Sequence, residues 1–201
     1  MDNTVGSRAE RNRSIDPVTT CAPLPSGARI ALVIQLSCMN GYNTPALKRD
    51  LANYISGYVD GEGCFSVSFS KRPKLLVGWE VKPSFCVGQN YDRREVLDLM
   101  QEYFGCGHIR RDWSDRTLKY EVRKLDDLIK KVIPHFKKYP LLSAKQKDFL
   151  RFAEICERVQ KLEHRRTESL RRIMRDAYTM NGSGKRKRTL EFLLGSLEMK
   201  I

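Results

Sequence analysis

From Thr44 onward the apolar residues fall into a helical rhythm: Leu47, Leu51, Ile55 and Val59 stand four apart and share one face. Thr44 is placed to cap that helix and Pro45 to fill its first position, while the glycines of Asp60-Gly-Glu-Gly63 end it. The period then switches to two. Phe65, Val67 and Phe69 alternate with Ser66, Ser68 and Ser70, and Trp79, Val81, Phe85 and Val87 alternate with Glu80, Lys82, Ser84 and Cys86. Two half-buried strands follow from this, joined through a basic loop at Lys71–Lys74. Asp92 and Glu95 have the spacing of a capping box and open a second helix through Val96, Met100, Tyr103 and Phe104, stopped by Gly105. A second hairpin puts Leu118, Tyr120 and Val122 on one face and Lys119, Glu121 and Arg123 on the other, with His108, Arg110 and Asp112 sharing that second face. A helix from about Leu125 to Ile133 is closed by Pro134, and Ser143 opens a longer one carrying Phe149, Phe152, Ile155, Val159 and Leu162. The order α-β-β-α-β-β-α predicts an α+β fold. Helices cover one face of a four-stranded antiparallel sheet and leave the other, polar face open to a ligand.

Residues 1–43 carry no such periodicity and read as a flexible N-terminal extension to a domain over 44–201, with Met39 just ahead of the periodic region. The longest apolar run, Ile30–Leu36, is far short of the roughly 20 residues that span a bilayer. It also lies behind a mixed polar stretch containing Pro17, Pro23 and Pro25, where a secretory signal would open with a short basic segment. A membrane partner is therefore set aside. Charge adds a positive clue: 37 basic against 24 acidic residues give +13, which favours a polyanionic partner such as nucleic acid. The extension supplies only +1 of this, so the basic surface belongs to the periodic region. Six cysteines without a C-x-x-C pair and three isolated histidines build no zinc site. They read as the thiols of an intracellular protein, in a bacterial cytoplasm or an organelle matrix.

One short stretch carries candidate chemistry. Gly57 and Gly61, four apart, leave with Ser56 a strip of helix without bulk, where a second helix backbone can approach closely. Glu62 follows at the negative end of the helix dipole, which disfavours a carboxylate by a few tenths to about 1 kcal/mol unless a cation compensates. Two copies packed through this strip would bring two such carboxylates together, an arrangement suited to a hard divalent cation. Alone, DGEG would be an ordinary turn with Glu62 in solvent. The preceding small-residue pair and the alternating strand that follows distinguish it from one.

Ile55-Ser-Gly-Tyr-Val-Asp-Gly-Glu-Gly63 resembles the motif that names the LAGLIDADG homing endonucleases, and the resemblance extends over roughly residues 45–198. It is closest to single-motif members encoded in introns of ribosomal RNA genes, which act as homodimers. What the resemblance implies is a saddle-shaped antiparallel sheet on double-stranded DNA, with Glu62 and the Gly61 carbonyl as ligands of Mg²⁺ or Mn²⁺. Gln89, Arg93 and Lys145 match the family's catalytic accessories, with Lys147 a neighbouring candidate for the lysine. The implied reaction is in-line hydrolysis of one phosphodiester in each strand of a long, near-palindromic site, such as an intron-less allele. On this reading Ser56, Gly57 and Gly61 form the dimer interface.

The expected DNA surface comprises Ser66, Ser68, Ser70, Arg72, Lys74, Glu80, Lys82, Ser84, Cys86, Arg110, Asp112, Lys119, Glu121 and Arg123, because alternate residues of a β-ribbon can read base edges in a major groove. Lys185, Arg186, Lys187 and Arg188 form a basic tip suited to the phosphate backbone. A second motif copy at Leu193-Leu-Gly-Ser-Leu-Glu198 is set aside, since only three residues follow it. Two rivals use the same fold: an intron maturase or RNA-binding protein with intron RNA as partner, and a DNA-binding regulator without catalysis. Glu62 favours the nuclease over both.

Overall fold

The computed structural model describes residues 44–113, 116–182, 184 and 186–198, apart from the side chains of 44–49 and 198. The extension over 1–43, the Thr44 cap and the Leu47 side chain lie outside the described residues. Helix α1 (Thr44–Glu62) buries Ala52, Ile55 and Val59, with Leu51 partly covered, so the four-residue stripe faces the core. The chain turns into β1 (Gly63–Lys71) at a position that admits no side chain. A Cβ on Gly63 would lie 2.5 Å from the Val59 Cγ1 and 2.7 Å from its carbonyl oxygen.

Strands β1 and β2 (Trp79–Asn90) pair antiparallel from Gly63 with Val87 to Lys71 with Trp79, and the Arg72 N–H closes the loop on the Gly78 carbonyl at 2.8 Å. The loop thus extends four residues beyond the basic stretch expected from sequence. With β3 (His108–Asp112) and β4 (Thr117–Val122) the sheet has the order β1-β2-β4-β3, antiparallel throughout. The period-two pattern puts Phe65, Phe85, Val87, Leu118 and Tyr120 beneath the sheet. Phe65 is the hub of an aromatic cluster, 5.2 Å from Phe85 and Phe149, 5.3 Å from Phe136 and 5.4 Å from Phe152 between ring centres.

Several element boundaries differ from the sequence expectation. Asp92 lies in a 3-10 turn (Tyr91–Arg93) and makes no capping bond; α2 (Glu95–Phe104) starts after Arg94 and ends, as expected, at Gly105 with φ 56°. Pro134 does not close its helix. Helix α3 (Leu125–Asp127) runs through a π-helical stretch (Leu128–Val132) into α4 (Ile133–Lys138), with Pro134 in the first turn of α4. The wider π turn relieves the clash between a proline ring and the carbonyl one turn back, and leaves no bond that the missing N–H would have to make. Helix α5 (Lys145–Gln160) begins two residues after Ser143, whose hydroxyl accepts from the Lys145 N–H at 3.1 Å. Leu162 lies beyond its end at φ 61°.

Two further helices, α6 (Thr167–Tyr178) and α7 (Leu190–Glu198), were not anticipated. The chain between them protects the outer edge of β1: the Asn181 Nδ2 donates to the Phe65 carbonyl at 2.7 Å and an Arg188 guanidinium N–H to that of Phe69 at 3.4 Å. No helix among the described residues is long and apolar enough to cross a membrane.

A buried polar chain ties α1 to α4. Ser56 is 5% exposed, and its hydroxyl donates to the Tyr139 carbonyl at 2.8 Å. That proton being committed, the His135 Nε2–H donates to the Ser56 oxygen at 3.2 Å, and the His135 Nδ1 accepts from the Tyr103 hydroxyl at 3.0 Å. Burial pushes the His135 pKa down from 6.5 to about 4. The unfolded chain therefore binds more protons than the native one between these values, so stability is full above about pH 6.5 and falls as pH drops toward 4. The loss expected from this group is up to about 3 kcal/mol. Chemical unfolding of wild type and His135→Gln at pH 7, 6, 5 and 4 checks it: the variant is weaker at pH 7 but lacks this part of the slope.

Candidate nucleic-acid interface and catalytic centre

The last turn of α1 is held by the segment ahead of α5. The Asp60 carboxylate accepts from the backbone N–H of Leu142 at 3.0 Å, that of Ser143 at 2.9 Å, and the Ser143 hydroxyl. Partial burial would raise its pKa, but the Ser143 hydroxyl and the two N–H groups outweigh that and hold the carboxyl below its usual range. The clamp sets Lys145 against the end of α1, where its ammonium donates to the Val59 carbonyl at 3.0 Å and the Gly61 carbonyl at 3.2 Å. A cation thus sits on carbonyls that the helix leaves without intrahelical partners. Of the two candidate lysines, Lys145 meets the end of α1, while Lys147 is exposed. Glu62, one residue on, is exposed and makes no hydrogen bond or ion pair among the described residues.

Gln89 ends β2 on the face toward α1, where its Nε2 donates to the Tyr58 hydroxyl and its Oε1 accepts from the Asn90 N–H at 2.7 Å. Burial raises the Tyr58 pKa, the Gln89 bond lowers it, the Glu62 charge raises it and that of Arg93 lowers it, with a net rise. Glu62, Gln89 and Arg93 therefore act on one phenol. Sequence reasoning missed both Tyr58 and Asp60; the alternation of the motif helix marks Tyr58 as next to Gly57, but nothing local reveals its partner.

Beside this cluster lies an open helix face. Cβ atoms built on Gly57 and Gly61 meet nothing within 4 Å. Asn53 and Tyr54 extend the exposed stripe one turn back. Ser56, expected on that strip, is not part of it: one residue is about 100° of helix rotation, and its hydroxyl turns inward to Tyr139 and His135.

The polar sheet face has the expected parity, with Ser66 opposite Ser84, Ser68 opposite Lys82, Ser70 opposite Glu80, and Arg110 opposite Lys119. Its charges are mutually ordered. Arg72 pairs with Glu80 at 2.8 Å, Lys82 with Glu80 at 3.3 Å, and Lys119 with Asp112 at 2.6 Å. Lys74 is exposed in the loop, and Cys86 stands half-buried directly opposite Cys64. Glu121 is on this face but covered: its side chain is 5% exposed and is met by the Arg110 Nε at 3.0 Å, an Arg123 guanidinium nitrogen at 2.9 Å and the Ser84 hydroxyl at 3.1 Å. Burial alone would raise its pKa, but the two guanidinium bonds prevail and hold the carboxyl below its usual range. Glu121 is thus a post that aims Arg110 and Arg123 outward.

The basic tip is less free than its sequence suggests. Arg186 donates to the carbonyls of Ala177 at 2.7 Å and Met180 at 2.8 Å and lies 4.2 Å over the Tyr178 ring. Arg188 lies 5.4 Å from the Trp79 ring centre. Lys187 is exposed, and Lys185 lies outside the described residues.

A family profile described as LAGLIDADG endonuclease matches residues 55–156. The homing endonuclease I-ApeII of Aeropyrum pernix is 31% identical over 150 residues, covering 72% of this chain and 88% of that protein. Probable intron-encoded endonuclease 2 of Neurospora crassa is 32% identical over 130 residues, 64% of this chain; the chain spans only 29% of that longer relative. The solved structure of the archaeal intron-encoded homing endonuclease I-Vdi141I complexed with DNA superposes with a TM-score of 0.68 at 30% identity, over 74% of this chain and 95% of that one.

Glu121→Gln keeps the shape of the post and removes its charge. It is expected to lower unfolding free energy by about 1–3 kcal/mol, and to speed solvent exchange of the Arg110 Nε–H in ¹H–¹⁵N spectra. Unchanged exchange would show that Glu121 does not hold Arg110.

Proposed function

Because this chain belongs to the LAGLIDADG endonuclease family, we propose that two copies of it assemble on a specific double-stranded DNA site and hydrolyse one phosphodiester in each strand. The observation that carries the reading is the exposed, unpaired Glu62 carboxylate at the end of a helix whose adjoining face, Gly57 and Gly61, is open to a second backbone. The DNA complex of the I-Vdi141I relative supports the choice of nucleic acid.

The donors present suit a hard divalent cation, since Glu62 offers carboxylate oxygens and Gly61 a carbonyl with a second lone pair beyond the Lys145 bond. On this reading each copy contributes one Glu62 and one Gly61 carbonyl, and the DNA phosphates complete the metal's ligands. Mg²⁺ or Mn²⁺, held by Glu62 and the Gly61 carbonyl, would supply Lewis-acid stabilisation of phosphate charge and a more acidic water. The chain's own groups do the rest. The Lys145 ammonium, fixed by two backbone carbonyls, presents positive charge to the reacting phosphate; Arg93, exposed in the 3-10 turn ahead of α2, can donate to its oxygens; Gln89, anchored on Tyr58, orients water in the site. Exposed Arg72, Lys82 and Arg123 and the half-buried Arg110 lie along the sheet face, where they would meet base edges and phosphates.

Two substitutions test this. Glu62→Gln should lower cleavage in Mg²⁺ by roughly 100-fold or more, with binding to the same duplex kept; full cleavage would sink the assignment of Glu62. Gly57→Leu should fold, since its Cβ meets nothing within 4 Å in the isolated chain. It should sediment at half the wild-type mass and lose cleavage. A wild type that is monomeric and cuts both strands, or a fully active Gly57→Leu dimer, would refute the two-copy site, and the intron-RNA reading would then be tested by RNA binding.

A further inference from the structure

Cys64 and Cys86 face each other on β1 and β2, half-buried on the polar side of the sheet, and both are free thiols. The phase of the ladder is readable from its edge. Phe65 and Phe69 turn their carbonyls outward to Asn181 and Arg188, and the Arg72 N–H bonds the Gly78 carbonyl, so Cys64 is one of the residues that bond inward to β2. A hydrogen-bonded antiparallel pair has its Cα atoms about 5.5 Å apart, inside the span of roughly 4.4–6.8 Å that a disulfide bridges. The Cys64 thiol lies 3.9 Å from the Asn181 Oδ1, and Cys64 and Cys86 are direct partners in the strand register. The other described cysteines stand apart: Cys156 is fully buried in α5, and the Cys106 thiol lies 4.0 Å from the Tyr120 hydroxyl.

We infer that Cys64 and Cys86 form an oxidant-sensitive thiol pair that a peroxide closes to a cross-strand disulfide, straining β1 beside Glu62 and slowing cleavage. One cysteine sulfur attacks a peroxide oxygen, the O–O bond breaks and the departing hydroxide takes a proton to become water, leaving a sulfenic acid. The second sulfur then attacks the first, the S–O bond breaks, the S–S bond forms, and a second water leaves. Each sulfur is oxidised by one electron and the peroxide is reduced to two waters. Closure has a mechanical cost, because Cβ atoms of a hydrogen-bonded pair lie about 5.5 Å apart and a disulfide requires about 3.8 Å. Glu62 is two residues from Cys64, and Gly63 between them is pressed on Val59, so the pull has little slack before it reaches the carboxylate. Such a strained bond is readily reduced, which makes the modification reversible.

The effect on cleavage rests on the function proposed above, whereas the thiol chemistry does not, and the experiment reads them separately. Full-length protein is treated with hydrogen peroxide, quenched with catalase, alkylated and mapped by mass spectrometry, with amide exchange followed across residues 60–66. The expected result is a Cys64–Cys86 peptide link, lighter by two hydrogens, with altered exchange in that segment, and cleavage slowed by roughly tenfold and restored by dithiothreitol. Cys64→Ser and Cys86→Ser, each compared with its own untreated state, should lose the response to peroxide. Separately alkylated peptides, a response that persists in Cys64→Ser, or a link that leaves exchange unchanged would each overturn the inference. A protein that forms the link with altered exchange but never cuts DNA would instead count against the nuclease.

Discussion

The bond between the Asp60 carboxylate and the backbone of Leu142 and Ser143 is the constraint on which the end of α1, and with it the proposed catalytic centre, depends. It joins the C-terminus of α1 to the start of α5 across more than eighty residues of sequence, and so decides where Lys145 can reach. Without it the Lys145 ammonium would lose its footing on the Val59 and Gly61 carbonyls, and Glu62 would end a frayed helix. A carboxylate serves well here because two N–H groups and a hydroxyl converge on it, and a charged acceptor bonds them more strongly than a neutral one. The adjacent Gly63 allows the strand to leave the helix at once, which fixes Glu62 between a clamped turn and a paired strand.

A similar economy organises the sheet. Its lower face is sealed by aromatic packing around Phe65, so the upper face can afford polar side chains without weakening the core. Arginines alone on that face would repel and wander. Glu121, buried between them, neutralises part of the charge and spends none of the exposed surface, leaving Arg110 and Arg123 outward but ordered. Asp112 does the same for Lys119, and Glu80 for Arg72 and Lys82. The acids of the face serve to position its bases.

Features set by local periodicity were legible in the sequence. The helix through Ile55 and Val59, the strand parities and the stop at Gly105 each depend on residues a few positions apart. Depth and partnership were not legible. Alternation assigned Glu121 to the right face but could not say that Arg110 and Arg123 would cover it, since that depends on the pairing of β3 with β4. Ser56 and Gly57 are both small, and no local rule says which of two adjacent small residues turns inward; the buried His135, 79 residues away, decides it. Helix α6 did carry a readable stripe in Leu170, Ile173, Met174 and Ala177, masked by the charges crowded around it. The contacts of the basic tip were not legible either, because Arg186 and Arg188 look free until Tyr178, Trp79 and the edge of β1 are in place.

The placement of Lys145 also bears on why two copies could pair at all. Bringing two α1 C-termini together would concentrate two helix-dipole ends and two Glu62 carboxylates near one axis, all negative. In the proposed dimer each of these ends arrives with its own ammonium 3.2 Å from the Gly61 carbonyl, which offsets only part of the negative charge of Glu62, Asp60 and the helix end. In the proposed complex each scissile phosphate would add a further negative charge that the lysines do not offset. In the proposed complex, demand for a divalent cation would therefore rise with assembly and again with substrate, and metal affinity would be coupled to DNA binding through electrostatics that one helix terminus and one lysine set.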